Sequence, residues 1–151
     1  MLGQSLVARL RRFLRLSGAD QKVLLETCAL LLAVQLGLSL LPFQIVRRFM
    51  LGHVGTRRRQ PPMPPERIGW AVSTAGRLVP RATCLPQAVV AEGLLKRMGY
   101  QAALHIGVAR GEGPALSAHA WVECLGRVVV GARGVTEYVV LGPAQPTSGR
   151  R

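Results

Sequence analysis

Along the chain, apolar and polar positions first alternate with helical spacing and later with the spacing of strands. In "SLVARLRRFLRL", Ser5 to Leu16, Leu6, Leu10, Phe13 and Leu14 fall on one stripe, and Arg9, Arg11, Arg12 and Arg15 take much of the rest. That is the pattern of a basic amphipathic helix. Ser17-Gly18 breaks it, and Asp20 is placed to cap a second helix running to about Leu41, where Pro42 intervenes. Inside it, "TCALLLAVQLGLSLLPF", Thr27 to Phe43, has no charge for 17 residues, the short end of what spans a bilayer. Gln35, Gly37 and Ser39 dilute its apolarity, and basic residues on both sides give no orientation. The expected state is a buried helix, with peripheral membrane contact as the second reading. A shorter helix is expected over Phe43 to Leu51.

The pattern breaks at "HVGTRRRQPPMPP", His53 to Pro65, where glycine, a basic triplet and four prolines can hold neither a helix nor a central strand. A helix resumes near Glu66, with Pro65 in its first turn, and ends before Pro80. Cys84 to Met98 also reads as helix, with Lys96 and Arg97 in its last turn and Gly99 where a left-handed cap is wanted. From there the period is that of strands: "YQAALHIGVA", a glycine-rich connection, then "HAWVEC" and "RVVVGA" joined through Leu125-Gly126, and finally "TEYVVLGP". The order predicts an α+β fold, with a helical N-terminal region followed by one helix packed on an antiparallel sheet. The expected divisions are a helical region over 1–54, a linker over 55–65, a core over 66–144 and a disordered tail over 145–151.

One domain is the default for 151 residues, and that length buries a core without disulfides or metal. Net charge is +13, from 20 basic and 7 acidic residues. The first 80 residues hold 12 basic and 3 acidic groups, so the first half is the more cationic. Such charge suits an anionic surface or an acidic partner. It is scattered, however, and the aromatic residues before position 81 are only Phe13, Phe43, Phe49 and Trp70. That makes no stacking platform for single strands, and no nucleic-acid partner is expected. Cys28, Cys84 and Cys124 are odd in number and widely spaced, so they suggest neither a disulfide framework nor a paired zinc motif. With no cleavable signal peptide evident, a reducing, cytoplasmic setting is expected.

Cys84 carries the candidate chemistry. In the first turn of its helix, unpaired N–H groups and the positive end of the dipole stabilise negative charge. Pro86 fits that turn, and the amides of Cys84 and Leu85 would face an oxyanion formed there. A nucleophilic thiol needs a base. His53 lies in the linker, and His105 points away from its apolar strand neighbours as a surface or second-layer residue. His119 opens "HAWVEC" after a flexible loop, where a strand start can face a helix N-terminus. A lone cysteine is more often a small buried hydrophobe, and a lone strand histidine is more often structural. Cys28 reads as packing and Cys124 as partly buried. Zinc binding by Cys84, His105, His119 and Cys124 is disfavoured for lack of a close ligand pair.

The run "CLPQAVVAEGLLKRMGYQAALHIGV", followed by "AHAWVECLGRVVVG", resembles the papain-like and transglutaminase-like cysteine fold. More closely, it resembles the stand-alone leader peptidases of lasso peptide biosynthesis, as does the helical prelude from Phe13 to Phe43. The resemblance covers most of residues 10 to 142. It implies that Cys84 attacks the bond joining leader to core in a precursor peptide, with His119 as base and then acid. It further implies a separate leader-binding protein and an ATP-dependent macrolactam cyclase as partners, with no cofactor and no metal.

The chain departs from that family in one place. The pattern is often Cys-His-Asp, yet the only aspartate is Asp20, and "VVVGAR", Val128 to Arg133, has no carboxylate where the acid is expected. Glu123 shares a strand face with His119 but lies about 13 Å along it. Glu137 could approach from the last strand, or a backbone carbonyl or side-chain amide could orient the ring instead. Trp121, on the same face, is either a shield for the pair or plain packing. Two competing readings stand beside peptide hydrolysis. One is acyl transfer to an amine. The other is a non-catalytic scaffold that docks partners or membrane through the first 60 residues.

Overall fold

The computed structural model describes residues 11, 13–52, 63–110, 116–132 and 134–141. The expected helix over Ser5–Leu16 lies mostly outside the described residues. So do His53, most of the proline-rich linker, the centre of the glycine-rich connection and the tail.

Four helices pack on a four-stranded antiparallel sheet among the described residues, an α+β arrangement with a transglutaminase-like core. The helices are α1 (Gly18–Leu40), α2 (Phe43–Gly52), α3 (Pro65–Leu78) and α4 (Cys84–Arg97). The strands are β1 (Ala102–Arg110), β2 (Leu116–Cys124), β3 (Arg127–Val130) and β4 (Val139–Val140), in the order β3-β2-β1-β4. The last strand is shorter than its sequence suggested, because Val135–Glu137 forms a turn of 3-10 helix ahead of it.

Local chemistry sets the boundaries. Ser17, not Asp20, caps α1: its hydroxyl accepts from the Asp20 amide at 3.2 Å and donates to the Asp20 carboxylate at 2.7 Å. Asp20 in turn pairs with Arg67 on α3. The Ser17 hydrogen bond, with Arg67 adding to it, holds the Asp20 carboxyl below its ordinary range despite some desolvation. The end of α4 is a Schellman turn, in which Gly99 N–H bonds Lys96 O at 2.9 Å and Tyr100 N–H bonds Leu95 O at 3.0 Å. Gly99 takes the left-handed conformation that this turn requires, at φ 88. Leu125 and Gly126 both have positive φ, 52 and 74, the signature of a tight hairpin joining β2 to β3.

The central element is α4, which packs on α1, α2, α3 and the sheet. Ala88, Val89, Ala91 and Leu95 are buried among Ile68, Val72 and Ala75 of α3 and Leu24, Leu31 and Val34 of α1. Glu92 is also buried there. It accepts from Arg47 of α2 at 2.8 and 2.7 Å and from Lys96 at 2.9 Å, so its charge is paired. From the sheet, Ala120, Val122 and Cys124 join the same core.

The expectation of a buried helix over Thr27–Phe43 is corrected. Only one face of α1 is covered, and Leu25, Leu32, Leu36 and Leu40 are exposed. The reason is architectural: α3 and α4 lie on one side of α1, and among the described residues no element lies on the other.

Candidate active site

Cys84 is the first residue of α4, half-buried against the core. The turn that delivers it is braced from two sides. Gln35 of α1 donates to Pro80 O at 3.1 Å, and Gln87 of α4 donates to Ala82 O at 2.6 Å. Within that turn Arg81 sits at φ 59, and Thr83 N–H bonds Arg81 O at 2.8 Å. Thr83 is the N-cap, but its hydroxyl makes no cap hydrogen bond. The residue three positions on, whose N–H such a hydroxyl often takes, is Pro86, which has none. The amides of Cys84 and Leu85 therefore open the helix without a side-chain cap.

His119 is held from the other side. Its Nε2 lies 2.8 Å from Gly131 O. A carbonyl only accepts, so in the neutral ring Nε2 carries the proton and Nδ1 keeps its lone pair. That main-chain acceptor stands where a carboxylate was sought. Glu123 instead accepts from Trp121 Nε1 at 3.3 Å and lies 3.5 Å from His105 Nε2. Glu137 is exposed in the 3-10 turn, and the His119 ring is held by Gly131 O rather than by its carboxylate. Gly131 can come this close only as glycine. Its φ is +80, and a Cβ there would meet Ala120 O at 2.7 Å.

The rings around His119 form a stack. Trp121, fully buried, lies between His105 and His119, with centroids 5.5 and 6.2 Å away and planes within 19° and 21°. Tyr138 closes over His119 at 5.2 Å, its hydroxyl 3.3 Å from Ser117 Oγ. Trp121 thus packs against the candidate base itself, away from the helical core. His105 Nε2 is buried there without a hydrogen bond.

Strand alternation puts His119, Trp121 and Glu123 on one sheet face and Ala120, Val122 and Cys124 on the face covered by helices. The helix that Cys84 opens packs on the face with Ala120, Val122 and Cys124, whereas the His119 ring lies on the other face with Trp121 and Tyr138. Among the described residues, no hydrogen bond joins the Cys84 thiol to the His119 ring. Pairing of β3 with β2 covers only Val122, Glu123 and Cys124, so β2 has no strand partner on that side at His119.

The other cysteines belong to the packing. Cys28 is half-buried, and burial pushes its thiol up. Cys124, expected to be partly buried, is fully buried; desolvation and the nearby Glu66 charge both raise it. Among the described residues, no three His, Cys, Asp or Glu side chains gather as metal ligands. Gln35, Gln87, Gly131 and Tyr138 were not singled out for these roles by sequence. Their parts are played through main-chain partners and close approach, which leave no spacing signature.

A thiol opening a central helix without a side-chain cap, and an imidazole held through Nε2 by a main-chain carbonyl, are residue types that acyl chemistry at sulfur uses. The model of the transglutaminase-like superfamily matches residues 28–142, and the chain belongs to that superfamily. Its members are usually cysteine-dependent enzymes. No curated protein and no solved structure matches the chain.

Proposed function

We propose that this protein is a cysteine peptidase that removes the leader from a lasso peptide precursor, with Cys84 as nucleophile and His119 as base. What supports the reading is Cys84 at a helix N-terminus that lacks a side-chain cap, together with a His119 imidazole whose Nε2 is engaged by Gly131 O. The narrower substrate assignment rests on the resemblance of "CLPQAVV" and "AHAWVE" to leader peptidases.

In this mechanism Nδ1 of His119 takes the thiol proton of Cys84. Sulfur attacks the carbonyl carbon of the leader–core bond, and the oxyanion meets the amides of Cys84 and Leu85. As the C–N bond breaks, the imidazolium gives its proton to the departing core amine, leaving the leader as a thioester. Water, deprotonated by Nδ1, releases the leader as a carboxylate and restores the thiol. The freed amine is the group a separate ATP-dependent cyclase needs to close a macrolactam. The leader itself would be presented by a separate leader-binding protein.

Mass spectrometry of a cognate precursor incubated with this protein and its leader-binding partner tests the proposal. Wild type is expected to cut one bond, and Cys84→Ala and His119→Ala to lose that cut by a factor of about a thousand or more. A second reading, a non-catalytic docking scaffold, is favoured by the lack of a thiol–imidazole hydrogen bond. It requires Cys84→Ala to leave precursor maturation intact, so the same variant separates the two.

A further inference from the structure

The two faces of α1 have opposite surroundings. Leu24, Thr27, Leu31 and Val34 are 0–3% exposed against α3 and α4. On the far side, Leu25, Leu32, Leu36 and Leu40 are 54–73% exposed, with Ala29 and Ala33 also exposed among them. Leu41 and Ile45 carry the exposed apolar surface past Pro42 onto α2. No charge occurs between Glu26 and Arg47. Exposed cations bracket the stretch: Arg11, Arg15 and Lys22 before it, Arg48 after it, and Arg81 in the turn that Gln35 ties to α1. A contiguous apolar stripe of this kind on a folded surface calls for something to cover it.

We propose that the Leu25–Leu40 face of α1 docks the protein on an anionic lipid surface, with the helix lying in the plane of the membrane. Charge selects this occupant. A second copy would bring +13 against +13, whereas anionic headgroups complement the bracketing arginines and lysine. Packing selects the depth. α1 is long and apolar enough to cross a bilayer, with mean hydropathy 2.0 over its most apolar window. Yet it gives one face to the protein core, and Asp20 and Gln35 bind it to α3 and to the turn before Cys84. A helix so committed has one face to give to lipid, as interfacial helices do. The Gln35 tie also sets the Cys84 turn beside the docked helix. The proposal stands apart from the reaction assigned to Cys84.

The test is co-sedimentation of the full chain with vesicles of phosphatidylcholine and phosphatidylglycerol, against phosphatidylcholine alone. Binding to the mixed vesicles is expected, weaker by about tenfold on the neutral ones or in high salt. The variant Leu32→Gln/Leu36→Gln should bind at least about tenfold more weakly at an unchanged melting midpoint. Should that pair lower the midpoint, Leu40→Gln, at the helix end, replaces it. Alkaline carbonate should strip the wild type from the vesicles. Failure to bind the mixed vesicles, or equal binding by the glutamine variants, overturns the proposal. Resistance to carbonate overturns it in favour of a spanning helix. A dimer in vesicle-free buffer that the glutamine variants dissolve overturns it in favour of a self-interface.

Discussion

At the scale of single residues, the weight falls on Gly131 rather than on a third acidic side chain. Its carbonyl fixes which nitrogen of His119 carries the proton, and its missing Cβ lets the strand end approach Ala120. Gly131→Ala is expected to cost about 1–3 kcal/mol, since alanine must adopt φ +80 and also clear Ala120 O, 2.7 Å from its Cβ. It should also loosen the tautomer. Nitrogen chemical shifts of the neutral ring should show the proton on Nε2 in wild type and a mixture in the variant. A wild-type ring protonated mainly on Nδ1 would rule out this arrangement. Cys84 at a helix start and the need for a substitute acid were both legible in the sequence. The substitute itself was not, because a backbone acceptor carries no residue type. Cys124 was legible only as a strand residue, and its full burial follows from alternation with Ala120 and Val122.

At the scale of elements, α3 and α4 were legible to within a residue or two, because Pro65 at the start of one and Gly99 past the end of the other act locally. The fate of α1 was not. A run that is apolar all round has no periodicity to say which face is covered, or whether both are. Glu92 shows the other blind spot. Its partner Lys96, four residues on, can be read from helical spacing. Its partner Arg47 arrives from 45 residues away and cannot. Burial alone would raise the Glu92 carboxyl, but the bonds to Arg47 and Lys96 outweigh it and hold the group below its ordinary 4.5. The folded state therefore gains from this group above the ordinary carboxylate range, and that gain is lost as pH falls through the lowered folded value. Glu92→Gln leaves two cations facing a neutral amide and should cost about 3 kcal/mol at neutral pH in urea titrations. The gap to wild type should narrow once the solution is acid enough to protonate Glu92 in the native protein. Equal stability at pH 7 would mean that this pairing does not hold α2 to α4.

At the scale of the whole molecule, the leading question is whether α1 is an attachment or part of the core. Composition sets it apart, since the proline-rich stretch lies between α2 and α3. Packing joins it to the rest, and the superfamily match opens at residue 28, inside α1. Leu24, Leu31 and Val34 are each nearly inaccessible. At about 1.5–3 kcal/mol for each such side chain, their loss would remove roughly 5–9 kcal/mol. A domain of this size is stable by only about 5–15 kcal/mol in total. A chain reduced to residues 43–151 would also expose Ile68 and Val72 on α3, and it would lose the Gln35 brace on the turn before Cys84. It is therefore expected to melt without a cooperative transition, to bind a hydrophobic dye and to cleave nothing. The full chain should show a single sharp transition. If the shortened chain melted cooperatively at the full-length midpoint, α1 would be an appendage rather than part of the core that carries Cys84.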